Sequence, residues 1–118
     1  MRHQKKSQKF HRNEEDRKRL WIDLSTALIK NGQITTFSVR AKWFRSRFER
    51  LITLCKRAGD NTQLAYRNVR PYLKEEVARK LIEEIVPKMQ DRVGGYTQVF
   101  KLSIEFSAHD KSLVRLTQ

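Results

Sequence analysis

Lysine and arginine side chains supply the chemistry that stands out in this sequence. The first twelve residues, MRHQKKSQKFHR, contain no carboxylate and a single large apolar side chain, Phe10. Such a segment cannot bury itself in a core, and its like charges repel one another unless a polyanion neutralises them. We therefore expect residues 1–12 to form a basic, extended N-terminal arm that contacts such a partner. The cations of the arm are Arg2, Lys5, Lys6, Lys9 and Arg12, with His3 and His11 beside them.

A second basic surface is predicted within residues 39–56. Four side chains recur there at spacings of three and four residues, which would place them in a ridge along one face of a helix. A guanidinium group binds phosphate through two parallel hydrogen bonds and also stacks on bases, so the ridge suits a nucleic-acid backbone. The cluster RKR at 17–19 extends the array. The ridge consists of Arg40, Trp43, Arg47 and Arg50, flanked by Lys42 and Arg45.

Other kinds of chemistry find no support in the sequence. The Gly-Gly pair in RVGGYT at 92–97 fits neither form of nucleotide-binding loop, GxGxxG or GxxxxGK[ST]. The three histidines and the single cysteine, Cys55, lack metal-ligand spacing, and we expect Cys55 to be a small buried hydrophobe. Adjacent carboxylates at 14–16, 75–76 and 83–84 point to different helix faces, so we assign them to capping and solvation. We predict no catalysis, no cofactor, no metal and no small-molecule substrate.

The overall charge supports a polyanionic partner. The 118 residues include 26 Lys and Arg against 13 Asp and Glu, a formal net charge of +13 at pH 7. The excess is concentrated in residues 1–57, which hold 16 basic and 5 acidic side chains, whereas residues 58–118 hold 10 and 8. The first half is therefore expected to face the partner. A chain of this length and 38% hydrophobic content is expected to form one domain, over residues 13–118.

Membrane and targeting functions receive less support. The sequence has no apolar run of about 18 residues and no secretory signal, so we expect a soluble, intracellular protein. An organelle transit peptide is disfavoured because Ser7 is the only hydroxyl residue of the arm. A basic amphipathic helix can lie on an anionic membrane, but so small a domain needs its apolar stripe for the core. We expect no membrane partner.

Helices are predicted for most of the middle of the chain. Asn13 as an N-cap and Gly32 as a stop bound a first helix at about 13–31. The β-branched segment at 33–37 is expected to be a short strand, followed by a helix that Ser38 caps. The second helix has a strong apolar stripe of period near 3.6. That stripe comprises Ala41, Phe44, Phe48, Leu51, Ile52 and Cys55.

The second half of the chain predicts two further helices and a hairpin. A short helix capped by Asp60 or Asn61 should end near Val69, because Pro71 follows. A fourth helix, about 73–86, would bury Leu73, Val77, Leu81 and Ile85 and stop at Pro87. After the turn at Gly94-Gly95, apolar residues alternate in a half-buried strand, and SLVRLT forms the last strand. The buried positions of the first hairpin strand would be Phe100, Leu102, Ile104 and Phe106.

These elements predict an α+β fold in the order α-β-α-α-α-β-β. The lone first strand would join the C-terminal hairpin in a small three-stranded mixed sheet. Helices would pack on one face of that sheet, which gives a two-layer α/β sandwich.

Short motifs occur in a fixed order along the chain. The sequence begins with MRH, has ITT at 34–36 and LIT at 51–53, and carries RVGGYT at 92–97 before the predicted hairpin. Together these motifs resemble those of the bacterial large-subunit ribosomal protein L17 family, and they span nearly the whole chain. Further positions that match the family pattern are Arg12, Asn13, Arg17, Ala41, Lys42, Arg45, Glu49 and Lys56.

The resemblance implies a component of the bacterial large ribosomal subunit, cytoplasmic and ribosome-associated. It would bind large-subunit ribosomal RNA near the outer mouth of the peptide exit tunnel, beside neighbouring large-subunit proteins. Arg and Lys would bridge phosphates, and His3 would stack or form a hydrogen bond. Tyr96 would either stack on a base or fill the core. The resemblance assigns RNA contact to Arg2, His3, Arg12, Arg17, Lys42, Arg45, Arg92 and Tyr96.

Two other functions stay open at this point. A free nucleic-acid-binding regulator or chaperone would bind unrelated DNA or RNA about as well as ribosomal RNA. A membrane-surface module would bind vesicles in a manner that nuclease does not alter.

Overall fold

The computed structural model describes residues 13–102 and 110–117. Within them the elements follow the predicted order α-β-α-α-α-β-β, so the predicted α+β class is confirmed. The predicted N-terminal arm, the strand positions Ile104 and Phe106 and most of the hairpin turn lie outside the described residues. The elements are α1 Glu14–Asn31, β1 Gln33–Phe37, α2 Ser38–Arg57, α3 Thr62–Val69, α4 Glu75–Lys80, β2 Thr97–Lys101 and β3 Lys111–Leu116.

Local signals set both ends of α1. The Asn13 side-chain Oδ1 accepts a hydrogen bond of 2.8 Å from the backbone N–H of Asp16, as an N-cap does. Gly32 ends the helix with φ at +81°, and its N–H donates to the Leu28 carbonyl at 2.8 Å. A residue with a Cβ would be strained in this left-handed conformation, so Gly32 lets the chain turn directly into β1.

The start of α2 differs from the prediction. The N-cap position is Phe37, and Ser38 is already the first helical residue. The Ser38 hydroxyl lies 2.7 Å from that of Ser112 in β3, and the Ser38 N–H donates to the Asp110 carbonyl at 2.9 Å. Because β1 passes into α2 with no linker, the side chain of Ser38 reaches the sheet rather than its own helix. These two bonds fix the first turn of α2 to β3.

The fourth helix continues beyond its predicted end. After α4, a π-helical turn covers Leu81–Ile85 and a 3₁₀ segment covers Val86–Met89. Pro87 lies in the first turn of the 3₁₀ segment, where its missing N–H needs no acceptor. The wider π-helical turn separates its ring from the preceding carbonyls. The apolar face is buried as predicted, at Leu73, Val77, Leu81 and Ile85.

The sheet has the strand order β1-β3-β2, and both pairings are antiparallel. The predicted mixed sheet is therefore wrong in its strand directions, although the C-terminal hairpin and the added first strand are confirmed. Val114 in the central strand pairs with Ile34 on one side and with Val99 on the other. These three side chains share the face that the helices cover.

The core lies between this sheet and the helices. All six apolar positions predicted for α2 are buried, and the rings of Phe44 and Phe48 lie 5.6 Å apart between centroids. The helix packs on all three strands and on α1 and α3. Burial of this stripe is the main free-energy source for the fold, since each fully buried large apolar side chain contributes about 2 kcal/mol.

One register prediction is wrong. Phe100 and Leu102 are exposed, at 42% and 37%, whereas Thr97 and Val99 face the core from β2. Successive side chains of a strand alternate between faces, so a pairing offset by one residue moves the whole set to the other side. The uncovered face of the sheet consequently carries Phe37, Phe100 and Leu102 among its exposed side chains.

Candidate nucleic-acid interface

The predicted contact residues fall into two groups. Those of the arm lie in residues 1–12, outside the described residues, and stay predictions: Arg2, His3, Lys5, Lys6, Lys9 and Arg12. The described ones lie on α1, on α2 and in the loop before β2, and they are Arg17, Arg40, Lys42, Arg45, Arg47, Arg50, Arg92 and Tyr96.

The cations of α2 lie on two flanks of the helix. Lys42 and Arg45 lie beside β2, where they share a surface depression with Val99 and Lys101. We call this pair the sheet-side flank. The opposite flank faces α1 and carries Arg47 and Arg50. A helical repeat of 3.6 residues places exposed Ser46 between the two sets, so the predicted ridge and the cations predicted to flank it form two basic surfaces.

Trp43 does not lie on an exposed ridge as predicted. Its side chain is only 6% exposed, and the Arg47 guanidinium lies 4.4 Å from the centre of its ring. Arg47 also donates from Nη1 to the Trp43 carbonyl at 3.4 Å. Arg47 thus covers the ring with its planar group and keeps its charge toward solvent, a cation–π arrangement.

A cleft of about 440 Å³ lies between α1 and α2. The first helix contributes Arg17, Lys18 and Trp21 to it, and the second contributes Trp43, Arg47 and Arg50. Tyr72, which follows α3, closes one end. We call this the arginine cleft. It brings together four cations from two separate segments of the sequence.

The charges in the arginine cleft act on one another. The pKa of Arg47 is lowered from its ordinary value, first by partial burial and then by the positive charges of Arg50 and Arg17. An arginine keeps its proton throughout the physiological range, so the three like charges remain and create a strong positive potential. Glu14 is the one carboxylate among the lining residues. An anion in the cleft would be stabilised by all of these cations.

Aromatic side chains also line the cleft. The rings of Trp21 and Tyr72 lie 5.1 Å apart between centroids and are inclined at 43°. Lys18 Nζ lies 5.6 Å from the centre of the Tyr72 ring. Both aromatic side chains are half-buried. The cleft therefore offers ring surface among its cations.

Two further cations of α2, Arg40 and Arg45, have partners within the protein. The Arg40 guanidinium lies 5.3 Å from the centre of the Phe37 ring. Arg45 Nε lies 3.3 Å from Glu49 Oε2, one helical turn away. Lys42 is exposed on the same flank as Arg45. Partly neutralised, the sheet-side flank is a weaker anion site than the arginine cleft.

Tyr96 is a core residue and leaves little ring surface open to a base. Its ring is 4% exposed, which contradicts the stacking role and supports the alternative, core filling. Lys56 Nζ lies 5.0 Å from the ring centre and donates to the Tyr96 hydroxyl at 3.1 Å. The same ammonium donates to the carbonyl of Arg92, whose residue is half-buried. Lys56 thereby holds the loop before β2 against α2.

A second tie joins the same two segments. Glu49 Oε2 accepts hydrogen bonds from the backbone N–H of Thr97 at 3.2 Å and from the Thr97 hydroxyl at 2.7 Å. Thr97 is 1% exposed, so its polar groups depend on this carboxylate. Residues from both family-like stretches, 41–56 and 92–97, thus meet in one hydrogen-bonded junction.

Sequence reasoning did not identify two contributors to the cleft, Trp21 and Tyr72. A signal for the first was available. Glu14, Arg17, Lys18 and Trp21 are three or four residues apart, so α1 aligns them on one face. Tyr72 joins them only through the packing of the chain after α3, for which the sequence holds no local signal.

Within residues 13–102 and 110–117, no three His, Cys, Asp or Glu side chains are grouped so that they could hold a metal ion. Among the helices of those residues, none is both long enough and apolar enough to cross a membrane.

The described residues define a class: a small basic α+β protein built on one long amphipathic helix with cations on both flanks. The chain belongs to the ribosomal protein L17 family, whose model matches residues 20–116. This membership confirms the resemblance in the motifs. It also confirms the predictions of a structural constituent of the large ribosomal subunit and of a protein that is not an enzyme.

Individual relatives agree with this assignment. A large ribosomal subunit protein bL17 of Sulfurihydrogenibium sp. is 44% identical over 103 residues, which cover 86% of this chain and 83% of the relative. The bL17 protein of Thermoanaerobacter sp. is 45% identical over 97 residues, with 80% and 82% covered. That of Fusobacterium nucleatum is 39% identical over 105 residues, with 88% of each chain covered.

Proposed function

We propose that this chain binds large-subunit ribosomal RNA through three basic surfaces: the arm at 1–12, the arginine cleft and the sheet-side flank. It does so in the cytoplasm as part of the ribosome, beside neighbouring large-subunit proteins and near the outer mouth of the peptide exit tunnel. The position near the exit tunnel is an expectation that comes from the family resemblance. The RNA contact has support of its own in the geometry.

The observation that carries the RNA contact is the convergence of Arg17, Arg47 and Arg50 on one cleft. Like charges held this close raise the free energy of the isolated protein, and a bound anion removes that cost. RNA supplies closely spaced phosphates, and each neutralised phosphate releases a counterion, which makes the affinity steeply salt-dependent. A net charge of +13 supplies the long-range attraction for the same partner.

Filter binding to large-subunit ribosomal RNA over a salt series tests this proposal. The double variant Arg47→Gln with Arg50→Gln is compared with Arg67→Gln with Lys88→Gln, which removes the same charge from exposed positions outside the cleft. The cleft variant should lower affinity at least about tenfold and reduce the salt slope by about two. Equal losses in both variants would show that only net charge matters.

Sedimentation of the tagged protein in a cell lysate tests the ribosomal setting. Co-migration with the large subunit, lost after ribonuclease treatment, supports the proposed function. A peak at the top of the gradient in gentle salt would favour a free nucleic-acid-binding regulator instead.

A further inference from the structure

We propose that the arginine cleft holds a single unpaired nucleotide that is turned out of the RNA stack. Its base lies against Trp21, and its phosphate lies against Arg47 and Arg50. This inference rests on the proposed function and names the RNA feature that the cleft selects.

The shape of the cleft argues against a double helix as the occupant. A duplex keeps its bases stacked inside and presents a convex backbone, so it would touch only the cations at the rim. The cleft is concave, and its volume of about 440 Å³ lies in the usual range for sites that enclose a small ligand, roughly 300–1,000 Å³. One nucleotide that leaves the stack can enter such a space, whereas a paired one cannot.

The composition of the walls argues against a bare phosphate. Arg47 and Arg50 supply charge from α2, Arg17 and Lys18 supply it from α1, and Trp21 and Tyr72 add ring surface to the same cleft. A phosphate uses the cations and leaves the rings uncovered. A nucleotide uses both, because its base stacks on an aromatic ring while its phosphate binds guanidinium groups. The Lys18 ammonium beside the Tyr72 ring adds a further cation at the mouth.

Both kinds of group line the same cleft, and packing holds the side chains that supply them. Arg47 covers Trp43 at 4.4 Å and is therefore held in place, with its charged group at the cleft wall. Trp21 is braced by Tyr72 at 5.1 Å. Side chains that are already positioned lose little freedom when a ligand binds, so the cleft is prepared for its occupant.

The protein carries its own reporter for the experiment. The chain has two tryptophans, and both line the cleft, so intrinsic fluorescence responds to occupancy of this site. The probes are a short RNA hairpin with a fully paired stem and the same hairpin with one bulged adenosine. Full-length protein at about 150 mM salt should bind the bulged hairpin roughly tenfold more tightly and show stronger tryptophan quenching, since one base–aromatic stack contributes on this scale.

Two variants test the assigned contacts. Trp21→Leu keeps an apolar side chain but removes the stacking surface, so its preference for the bulged hairpin should disappear. Arg50→Gln alters an exposed side chain without disturbing the core and should weaken binding of the bulged hairpin by several-fold. Arg115→Gln, on the uncovered face of the sheet, serves as the control and should keep the full preference.

Equal affinity of the wild type for the two hairpins would overturn the inference. If the protein then still bound large-subunit ribosomal RNA with a steep salt dependence, the proposed function would stand without it. If the protein showed neither a preference for the bulged hairpin nor salt-dependent binding of large-subunit ribosomal RNA, the proposed function would be overturned as well.

Discussion

At the scale of single residues, Arg47 combines a packing role with a charged one. Its planar group covers Trp43, and the same group faces the positive charges of Arg50 and Arg17. The sequence predicted the charge from spacing alone. It did not predict that the Arg47 guanidinium covers the Trp43 ring, because a tryptophan at the boundary between core and solvent is buried only when a neighbouring side chain extends over it.

Relief of this repulsion gives the first prediction. Arg50→Gln should raise the Tm of the free protein by about 1–2 °C at low salt, because one of the converging charges is lost. The gain should vanish near 0.5 M NaCl, since ions at about that concentration screen exposed charges. Lys88→Gln is the matched control. Calorimetry that shows the same gain for both variants, or none for Arg50→Gln, would contradict the repulsion argument.

Cys55 gives a second prediction. Burial raises the pKa of its thiol to about 11, from an ordinary value near 9 in the unfolded chain. The folded state therefore favours the protonated thiol. This contribution to stability is complete below about pH 9 and is lost as pH rises toward about 11. At pH 8, a thiol-reactive dye should label the native protein far more slowly than the urea-unfolded one; equal rates would show that the thiol is accessible.

At the scale of elements, two hydrogen-bonded ties decide how the loop before β2 meets α2. Lys56 binds the Arg92 carbonyl and the Tyr96 hydroxyl, while Glu49 binds the backbone and side chain of Thr97. From the sequence, both residues of α2 were identified only as positions that match the family pattern. Their function is to place the start of the hairpin.

The third prediction concerns Glu49. Glu49→Ala removes the acceptor for two polar groups of buried Thr97, and each unsatisfied group costs free energy. We expect the free energy of unfolding to fall by about 2 kcal/mol in urea denaturation, a typical cost for such a loss. Glu84→Ala, at an exposed position, should change it by less than about 0.5 kcal/mol. A loss no larger than that control would show that water replaces the carboxylate.

Helix caps, a glycine stop and an apolar stripe in the sequence correctly predicted several of the helices. Asn13 and Gly32 bound α1, Asn61 caps α3, and the stripe of α2 is buried as its period required. Two features escaped prediction because distant contacts determine them. The helical path continues past Pro87 in a 3₁₀ segment that follows a π-helical turn, and the register of β2 depends on how β3 pairs with it.

At the scale of the whole molecule, the sequence predicted a basic half and a core-forming half, and it could not predict how they combine. The buried core of the described residues includes none of the cations, yet α2 supplies both the core stripe and the cleft. Separate charge clusters at 17–19 and 47–50 meet only because α1 lies beside α2. Sequence spacing alone cannot show that meeting.

Deletion of residues 2–12 gives the fourth prediction. The Tm of the free protein should stay within about 2 °C of the wild type, since the sequence of the arm, with Phe10 as its single large apolar side chain, offers little to bury. The affinity for ribosomal RNA should fall, and the salt slope should drop by about five, one for each lost cation. A large loss of Tm in calorimetry would show that the arm packs on the fold.

The direct passage of β1 into α2 has a mechanical consequence. Ser38 is bonded to both Ser112 and Asp110, and α2 packs on all three strands, so these contacts hold the orientation of its two flanks relative to the sheet. Because its first turn is held on the sheet and cations lie on two of its sides, α2 can act as a rigid spacer. If one RNA segment binds the arginine cleft and another binds the sheet-side flank, α2 holds them a constant distance apart, whichever segment binds first.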